Sequence, residues 1–236
     1  MTVGQIIKAV RWCIDEEAVN MASIDDVSAY DFDGGTHTDE GLMNNIIKNK
    51  IPAALRWVCL YAPPEMLSGV SSDGGSSTSD SIDVIVEESL ADSWNVLTPS
   101  NTLIRVVRVK GTGWHRAILG DSLIKEDSEE YLQLRDENGA TATIDRPQAA
   151  LINTKEKKVE VWPGNGTFTL TYVVSPTVDT STLTDDSPIG VPTAVETSFI
   201  YYLAYLLCTA YGDSRANSMF EVAMLNLGKS EDKQRQ

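Results

Sequence analysis

The segment closest in composition to a chemical motif runs from Asp31 to Asp39. Its sequence, DFDGGTHTD, offers the carboxylate and hydroxyl oxygens that bind Ca²⁺ in proteins. It lacks the glutamate that an EF-hand carries at the twelfth position of its loop, and the flanking residues lack the matching helical phase. We therefore interpret residues 31–39 as a polar connector and predict no metal site.

Nucleophilic or phosphate chemistry has equally little support. His37 and His115 are the two histidines of the chain, and neither is flanked by the serine motif of a nucleophile elbow. Gly111-Thr112-Gly113 is glycine-rich, but no Lys-Ser or Lys-Thr pair follows it and no helix is expected to begin there. This tripeptide is better explained as a tight hairpin turn.

Two groups of residues are compatible with carbohydrate chemistry. Paired carboxylates cleave glycosidic bonds, and an acidic cluster contains Glu126, Asp127, Glu129 and Glu130. A platform of exposed tryptophans stacks on sugars, and the candidates are Trp94, Trp114 and Trp162. A solvated acidic loop, and tryptophans that anchor a core or an interface, explain the same residues. We therefore predict no enzymatic activity, no catalytic residues and no cofactor.

The charge of the chain limits its partners. Over 236 residues the formal net charge is −15, and so negative a surface repels phosphate and disfavours nucleic-acid binding through counterion release. Met1–Lys8 lacks the features of a secretory signal, so we expect a protein made in the cytoplasm. The apolar stretch Phe199–Tyr211 is shorter than the roughly 20 residues that span a bilayer, and no membrane segment is predicted.

Apolar periodicity predicts two helices near the start of the chain. Thr2 and Gln5 have the spacing of a capping box, and the helix that follows is expected to extend to about Val19. The second helix runs from about Thr38 to Ala62. Pro52 lies inside it and is expected to kink it.

Two more helices are predicted near the end of the chain. The third runs from Pro192 to Tyr211 and ends at Gly212, and its apolar positions cover nearly its whole circumference. Such a helix needs neighbours on several sides. Asp213 or Ser214 is expected to cap a fourth helix.

Between the helices the apolar period changes to two, which indicates strands. These are predicted at residues 82–86, 103–110, 131–134, 141–144, 149–153, 159–162 and 168–174. The predicted fold class is α+β, with a helical bundle built from the N- and C-terminal helices and an inserted antiparallel β-sheet or β-barrel-like region. The domains are a discontinuous bundle (1–67 and 188–236), a flexible loop (68–81) and a β-rich insertion (82–187).

Three cysteines in apolar helical patterns are predicted to be buried and unbridged: Cys13, Cys59 and Cys208.

Four segments carry a resemblance to a known family. They are VGQIIKAVRWCIDEE (3–17), DEGLMNNIIKNKIPAALRWV (39–58), RPQAALINTKEKKVEVWPGNGTFTLTYVVSP (146–176) and VPTAVETSFIYYLAYLLCTAYGDSRANSMFEVAML (191–225). In this order they resemble the adaptor or ring proteins at the head-to-tail connector of short-tailed bacteriophages. The enlarged insertion and the acidic character are similar to those of a ring protein of crAss-like phages.

The resemblance implies a structural virion protein at the head-tail neck, assembled in the host cytoplasm. Such a protein forms a homo-oligomeric ring of twelve copies, docks on the portal protein and contacts adjacent ring or tail-hub proteins. Its lumen passes double-stranded DNA without specific binding, as an acidic surface would favour. The expected interface residues are Phe199, Tyr202, Leu206, Met219, Phe220, Leu225, Leu227 and Lys229. The alternative is a tail-accessory or glycan-binding module with a helical mount.

Overall fold

The computed structural model describes residues 1–14, 38–67, 84–93, 95–137, 139–153 and 157–228. The helices in these ranges are α1 (Val3–Ile14), α2 (Thr38–Tyr61), α3 (Pro64–Leu67), α4 (Glu129–Asp136), α5 (Glu196–Tyr211) and α6 (Ala216–Asn226). The strands are β1 (Ile85–Ala91), β2 (Val96–Leu97), β3 (Leu103–Gly111), β4 (Ile118–Leu119), β5 (Ile124–Lys125), β6 (Gln148–Ile152), β7 (Lys158–Trp162) and β8 (Thr167–Val174). The fold is α+β, as predicted. No helix in the described ranges has the length and apolar character needed to cross a membrane.

The chain divides into two compact units. A helical unit combines Met1–Ile82 with Pro176–Gln236, and a β unit comprises Asp83–Ser175. Residues 176–187, which the sequence assigned to the β-rich insertion, therefore group with the helices. The predicted flexible loop, 68–81, lies outside the described residues.

Helix α1 begins with the predicted capping box. The Thr2 amide donates to Gln5 Oε1 at 2.8 Å, and the Gln5 amide donates to Thr2 Oγ1 at 3.3 Å. These bonds satisfy two of the amides that a helix leaves unpaired at its start. One face of α1 is buried through Val3, Ile6, Ile7, Val10, Cys13 and Ile14. The predicted continuation to Val19 lies outside the described residues.

The segment that leads into α5 also accepts hydrogen bonds from the first amides of α1. The Val3 amide donates to the Ser187 carbonyl at 3.0 Å, and the Gly4 amide donates to the Asp185 carbonyl at 2.8 Å. The Lys48 ammonium on α2 lies 2.8 Å from the Asp185 carboxylate. Backbone bonds and an ion pair thus tie this connection to both N-terminal helices.

Helix α5 ends where the sequence predicts. Gly212 has a left-handed φ of 69°, and the Asp213 amide donates to the Cys208 carbonyl at 2.8 Å, which is the geometry of a Schellman cap. The predicted cap of the next helix is wrong in detail. Arg215 is the N-cap residue of α6 and makes no side-chain cap bond, while the Asp213 carboxylate accepts the Arg215 amide at 2.9 Å. All three cysteines are buried, as predicted, and none of them forms a disulfide.

The described residues of the β unit form two four-stranded sheets, ordered β1-β8-β3-β4 and β2-β7-β6-β5. All pairs are antiparallel except β5–β6. One core cluster takes residues from both sheets, including Val109 of β3, Leu170 of β8 and Val161 of β7. A second cluster lies on the opposite face of the second sheet, where α4 packs on Ala150 and Trp162. Because side chains alternate along a strand, the second sheet is buried on both faces.

Two predicted strands are wrong. Residues 131–134 lie in α4, where the Tyr131 amide donates to Ser128 Oγ at 3.2 Å and Ser128 caps the helix. Tyr131 and Leu134 are buried at a spacing of three, which fits a helix. Residues 141–144 form no strand, because a turn in which the Ala142 amide donates to the Gly139 carbonyl at 2.9 Å leads into irregular chain. The strands predicted at 103–110, 149–153, 159–162 and 168–174 are confirmed within one residue at each end.

Candidate assembly surface

Five aromatic side chains from three helices pack together in the helical unit. This aromatic cluster consists of Trp57 and Tyr61 of α2, Tyr202 and Tyr205 of α5, and Phe220 of α6. Trp57 and Tyr202 are stacked, with centroids 4.1 Å apart. Phe220 completes the cluster, with its centroid 5.1 Å from that of Tyr205. Offset and tilted ring pairs at these distances are favourable, so the cluster joins the three helices.

The cluster extends from the interior to the surface. Trp57 is 6% exposed, whereas Tyr61 is 42% exposed. Tyr202, Tyr205 and Phe220 are half-buried. Burial raises the pKa of Tyr202, and the neighbouring hydroxyls of Tyr205 and Tyr61 raise it further. Tyr202 therefore stays neutral at physiological pH and presents an apolar ring with a polar edge, as interface tyrosines do.

Helix α6 is apolar but poorly buried in the single chain. Ala223 is its one buried residue. Its larger apolar side chains are half-buried or exposed: Met219, Phe220, Val222, Met224 and Leu225. Leu225 is 64% exposed. A helix of this composition normally packs one face against a neighbour. Part of the apolar surface of α6 is therefore exposed to solvent in the single chain.

Helices α5 and α6 carry few charged side chains. Helices α5 and α6 contain one charged residue each, Glu196 and Glu221. The whole chain carries a formal charge of −15. Copies of a chain with this net charge repel each other, and the repulsion is weakest where charges are sparse. This surface of α5 and α6 is therefore suited to close protein contact.

The predicted interface residues fall into three groups. Tyr202 and Phe220 belong to the aromatic cluster, and the half-buried or exposed positions Leu206, Met219 and Leu225 are also accessible. Phe199 and Leu227 are buried, so they contribute to the core of the helical unit and not to its surface. Lys229 lies outside the described residues.

Tyr61 and Tyr205 are not among the residues that the sequence predicts for an interface. The available signal was aromatic spacing, because Tyr61 follows Trp57 by four residues and Tyr205 follows Tyr202 by three. Residues at these spacings share one face of a helix. Which helix faces then meet is decided by tertiary packing.

The tryptophans proposed as a sugar platform are not exposed where the structure describes them. Trp114 is 4% exposed and lies edge-on to Phe168, with centroids 5.3 Å apart. Trp162 is 5% exposed and packs in the core beneath α4. Trp94 lies outside the described residues. Neither described ring is available to stack on a glycan, so the expectation of exposed aromatics is wrong for these two.

The other candidate sites show structural roles. Glu126 accepts the Asn153 amide at 2.9 Å, and Glu129 and Glu130 occupy the first turn of α4, where carboxylates stabilise the helix dipole. The Gly111 carbonyl accepts the Trp114 amide at 3.1 Å, so a turn is present. The connection between β3 and β4 is longer than the predicted tight hairpin, because their pairing ends at Val109 opposite Ile118. His115 pairs with Asp145 at an exposed position.

Among the described residues, no group of three or more metal-ligating side chains is present. The candidate calcium segment lies outside the described residues up to position 37. A comparison with protein-family models finds no match, and a comparison with curated proteins finds none either.

Proposed function

We propose that this protein is a head-to-tail connector adaptor of a short-tailed bacteriophage. In this role copies of the chain form a ring that docks on the portal, extends the DNA channel and supplies the surface to which the tail attaches. The ring lies at the neck of the virion and has twelve copies, as in the family that the sequence resembles.

The observation that carries the proposal is the poorly buried, nearly uncharged surface of α5 and α6. A closed ring of head-to-tail contacts gives every copy two neighbours and therefore covers apolar surface on more than one side. The aromatic cluster offers a partly exposed group of tyrosines and a phenylalanine, the residue types that anchor protein interfaces. Leu225, which no residue of its own unit covers well, adds an aliphatic anchor on the same helix.

The charge of the chain fits a DNA channel. With a formal charge of −15, an acidic lumen repels phosphate, and DNA passes without adhering. A glycan-binding module is less well supported, because Trp114 and Trp162 are buried. The connector role therefore explains more of the described surface.

Electron microscopy of the purified chain mixed with the portal protein of the same phage tests the proposal. We expect class averages in which a second ring is stacked on the portal ring. Free single copies beside unoccupied portal rings, at protein concentrations in the micromolar range that support typical specific complexes, would contradict it.

A matched pair of variants tests whether the surface of α5 and α6 is an assembly contact. Leu225→Asp places a charge on α6, and Leu132→Asp places one on α4 of the β unit, where the leucine is comparably exposed at 58%. Because buried unpaired charge is costly at an interface, we expect Leu225→Asp to reduce ring formation at least about tenfold. Leu132→Asp should retain ring formation. Equal behaviour of the two variants would show that the α6 surface is not an assembly contact.

A further inference from the structure

Strand β1 forms an edge of the first sheet. It pairs with β8 over seven residues, from Ile85 opposite Val173 to Ala91 opposite Thr167. In the strand order of the described residues, no strand lies on its other side. Open edges present unpaired backbone groups and are templates for the addition of another strand. The apolar residues Val86 and Leu90 make this edge especially suited to such pairing.

One charged residue of β1 faces the core side of the sheet. Glu88 lies opposite Leu170, between Val86 opposite Tyr172 and Leu90 opposite Phe168. Leu170, Tyr172 and Phe168 are all members of the buried core. Side chains alternate along a strand, so Glu88 shares the inward face with them.

The Glu88 carboxylate is held at the rim of this face by neutral donors. The Tyr172 hydroxyl donates to it at 2.9 Å, the Ser100 amide donates at 3.1 Å, and the Ser100 hydroxyl also donates. Burial by itself would raise the pKa of Glu88, but the bonds from Ser100 and Tyr172 lower it. The carboxylate is therefore ionised at neutral pH, and no cation is among these three donors.

The adjacent carboxylate, that of Glu87, differs in the face of the sheet on which it lies and in having a cationic partner. Glu87 lies opposite Thr171 on the outward face of β1, and Arg108 donates to it at 3.1 Å. Its charge is compensated by the guanidinium and stays exposed to solvent. Glu87 and Glu88 thus offer the same charge on opposite faces of one strand.

We propose that Glu88 is a guard residue that prevents the β1 edge from pairing with the β1 edge of a second copy. In an antiparallel β1–β1 pair the added strand covers the rim where the carboxylate lies and brings the second copy's carboxylate onto the same face. Removing an ionised carboxylate from water without a cation is strongly unfavourable, and like charges across paired strands repel. Inward-facing charge on an edge strand is a known protection against such pairing.

The inference is independent of the proposed connector role, because it concerns the β unit alone. Its test uses the full chain with Ser89→Cys labelled with pyrene, since Ser89 is an exposed residue of β1. The native cysteines are buried, and the unsubstituted chain treated with the same reagent measures any labelling of them. Pyrene excimer emission reports when two β1 strands lie side by side.

Glu88→Gln removes the charge while keeping the size and an acceptor oxygen, and Glu87→Gln is the matched control. We expect Glu88→Gln to raise the excimer-to-monomer ratio at least about threefold over the labelled parent, because the desolvation cost is lifted. Glu87→Gln should leave the ratio unchanged. Equal ratios in the two variants, whether both raised or both unchanged, would overturn the proposal.

Two further substitutions separate charge from shape. Glu88→Ser is a smaller neutral variant that should also raise the ratio, and Glu88→Lys restores a charge and should return it to the parent value. Near-ultraviolet circular dichroism verifies that each variant retains its fold, so either neutral variant suffices for the test. A raised ratio in Glu88→Lys would also contradict a charge-based guard.

Discussion

The indole ring of Trp57 stacks on the phenol ring of Tyr202, with centroids 4.1 Å apart and planes inclined by 6°. Trp57 belongs to α2 and Tyr202 to α5, so the contact joins the N-terminal and C-terminal parts of the helical unit. Tyr202 is also one of the half-buried members of the aromatic cluster. The same stack that closes the unit therefore supports the candidate assembly surface.

Truncation of Trp57 should be far more damaging than truncation of an exposed tryptophan. We expect Trp57→Ala to lower the free energy of unfolding by about 3–5 kcal/mol, because it removes a buried aromatic side chain. Trp12→Ala, at a position that is 49% exposed, should lower it by about 1 kcal/mol or less. Urea denaturation monitored by circular dichroism measures both, and similar losses would contradict the packing role of Trp57.

Gly212 should resist substitution because of its backbone conformation. Its φ of 69° is unfavourable for residues with a Cβ atom. We expect Gly212→Ala to destabilise the protein by about 1–2 kcal/mol, and Gly212→Asn to cost less, since asparagine tolerates the left-handed region. Thermal unfolding of the two variants tests this order. An alanine variant as stable as the asparagine variant would show that the cap conformation is unimportant.

The Asp213–Arg215 contact predicts a specific pH dependence. Hydrogen bonds from the side chain and the amide of Arg215 lower the pKa of Asp213 from 3.8 to about 2. Because the folded-state pKa is below the unfolded value, the stabilisation is fully present above pH 3.8 and is lost as the pH falls through about 2.

We therefore expect the difference in unfolding free energy between the parent and Asp213→Asn to shrink between these two pH values. Urea denaturation at a series of pH values measures it. In an Arg215→Gln background, the same Asp213→Asn comparison should show little pH dependence, because the donor is gone. A parent-to-variant difference that stays constant down to pH 2 would refute the linkage.

The cap of α4 should contribute to the stability of the β unit. Ser128 Oγ accepts the Tyr131 amide at 3.2 Å and donates to the Lys125 carbonyl at 2.7 Å. We expect Ser128→Ala to cost about 1 kcal/mol and Ser128→Asp to recover most of this loss, because aspartate also caps helices. Hydrogen exchange of the α4 amides measures the effect. Ser122→Ala, at an exposed position, should change stability by less than about 0.5 kcal/mol.

The elements that local rules specify could be predicted from the sequence. The capping box of Thr2 and Gln5 and the glycine cap at Gly212 depend on residues close in the chain. The segment YLQL at residues 131–134 has an alternation that suits a strand, whereas the Ser128 cap and the buried Tyr131 and Leu134 make it helical. In a segment of four residues, the period of a strand and the period of a helix are hard to distinguish.

The candidate surface could be predicted only in part. Tyr202 and Phe220 were expected at an interface, but Phe199 is fully buried although it belongs to the same apolar helix. Periodicity identifies the stripes of a helix and not the neighbour that covers each stripe. Tyr61 contacts Trp57 within α2, and it joins the cluster because Trp57 stacks on Tyr202 of α5, a contact that no local pattern contains.

Propensity, apolar period and composition act over a few residues, so they suffice to predict the helices at both ends, most of the central strands, the acidic charge and the buried cysteines. The burial of Trp114 and Trp162 in cores, the exposed apolar surface of α6 and the inward-facing Glu88 on an edge strand follow from the tertiary structure alone. These features depend on pairing and packing between distant segments, since burial is a property of the neighbours that the fold brings together.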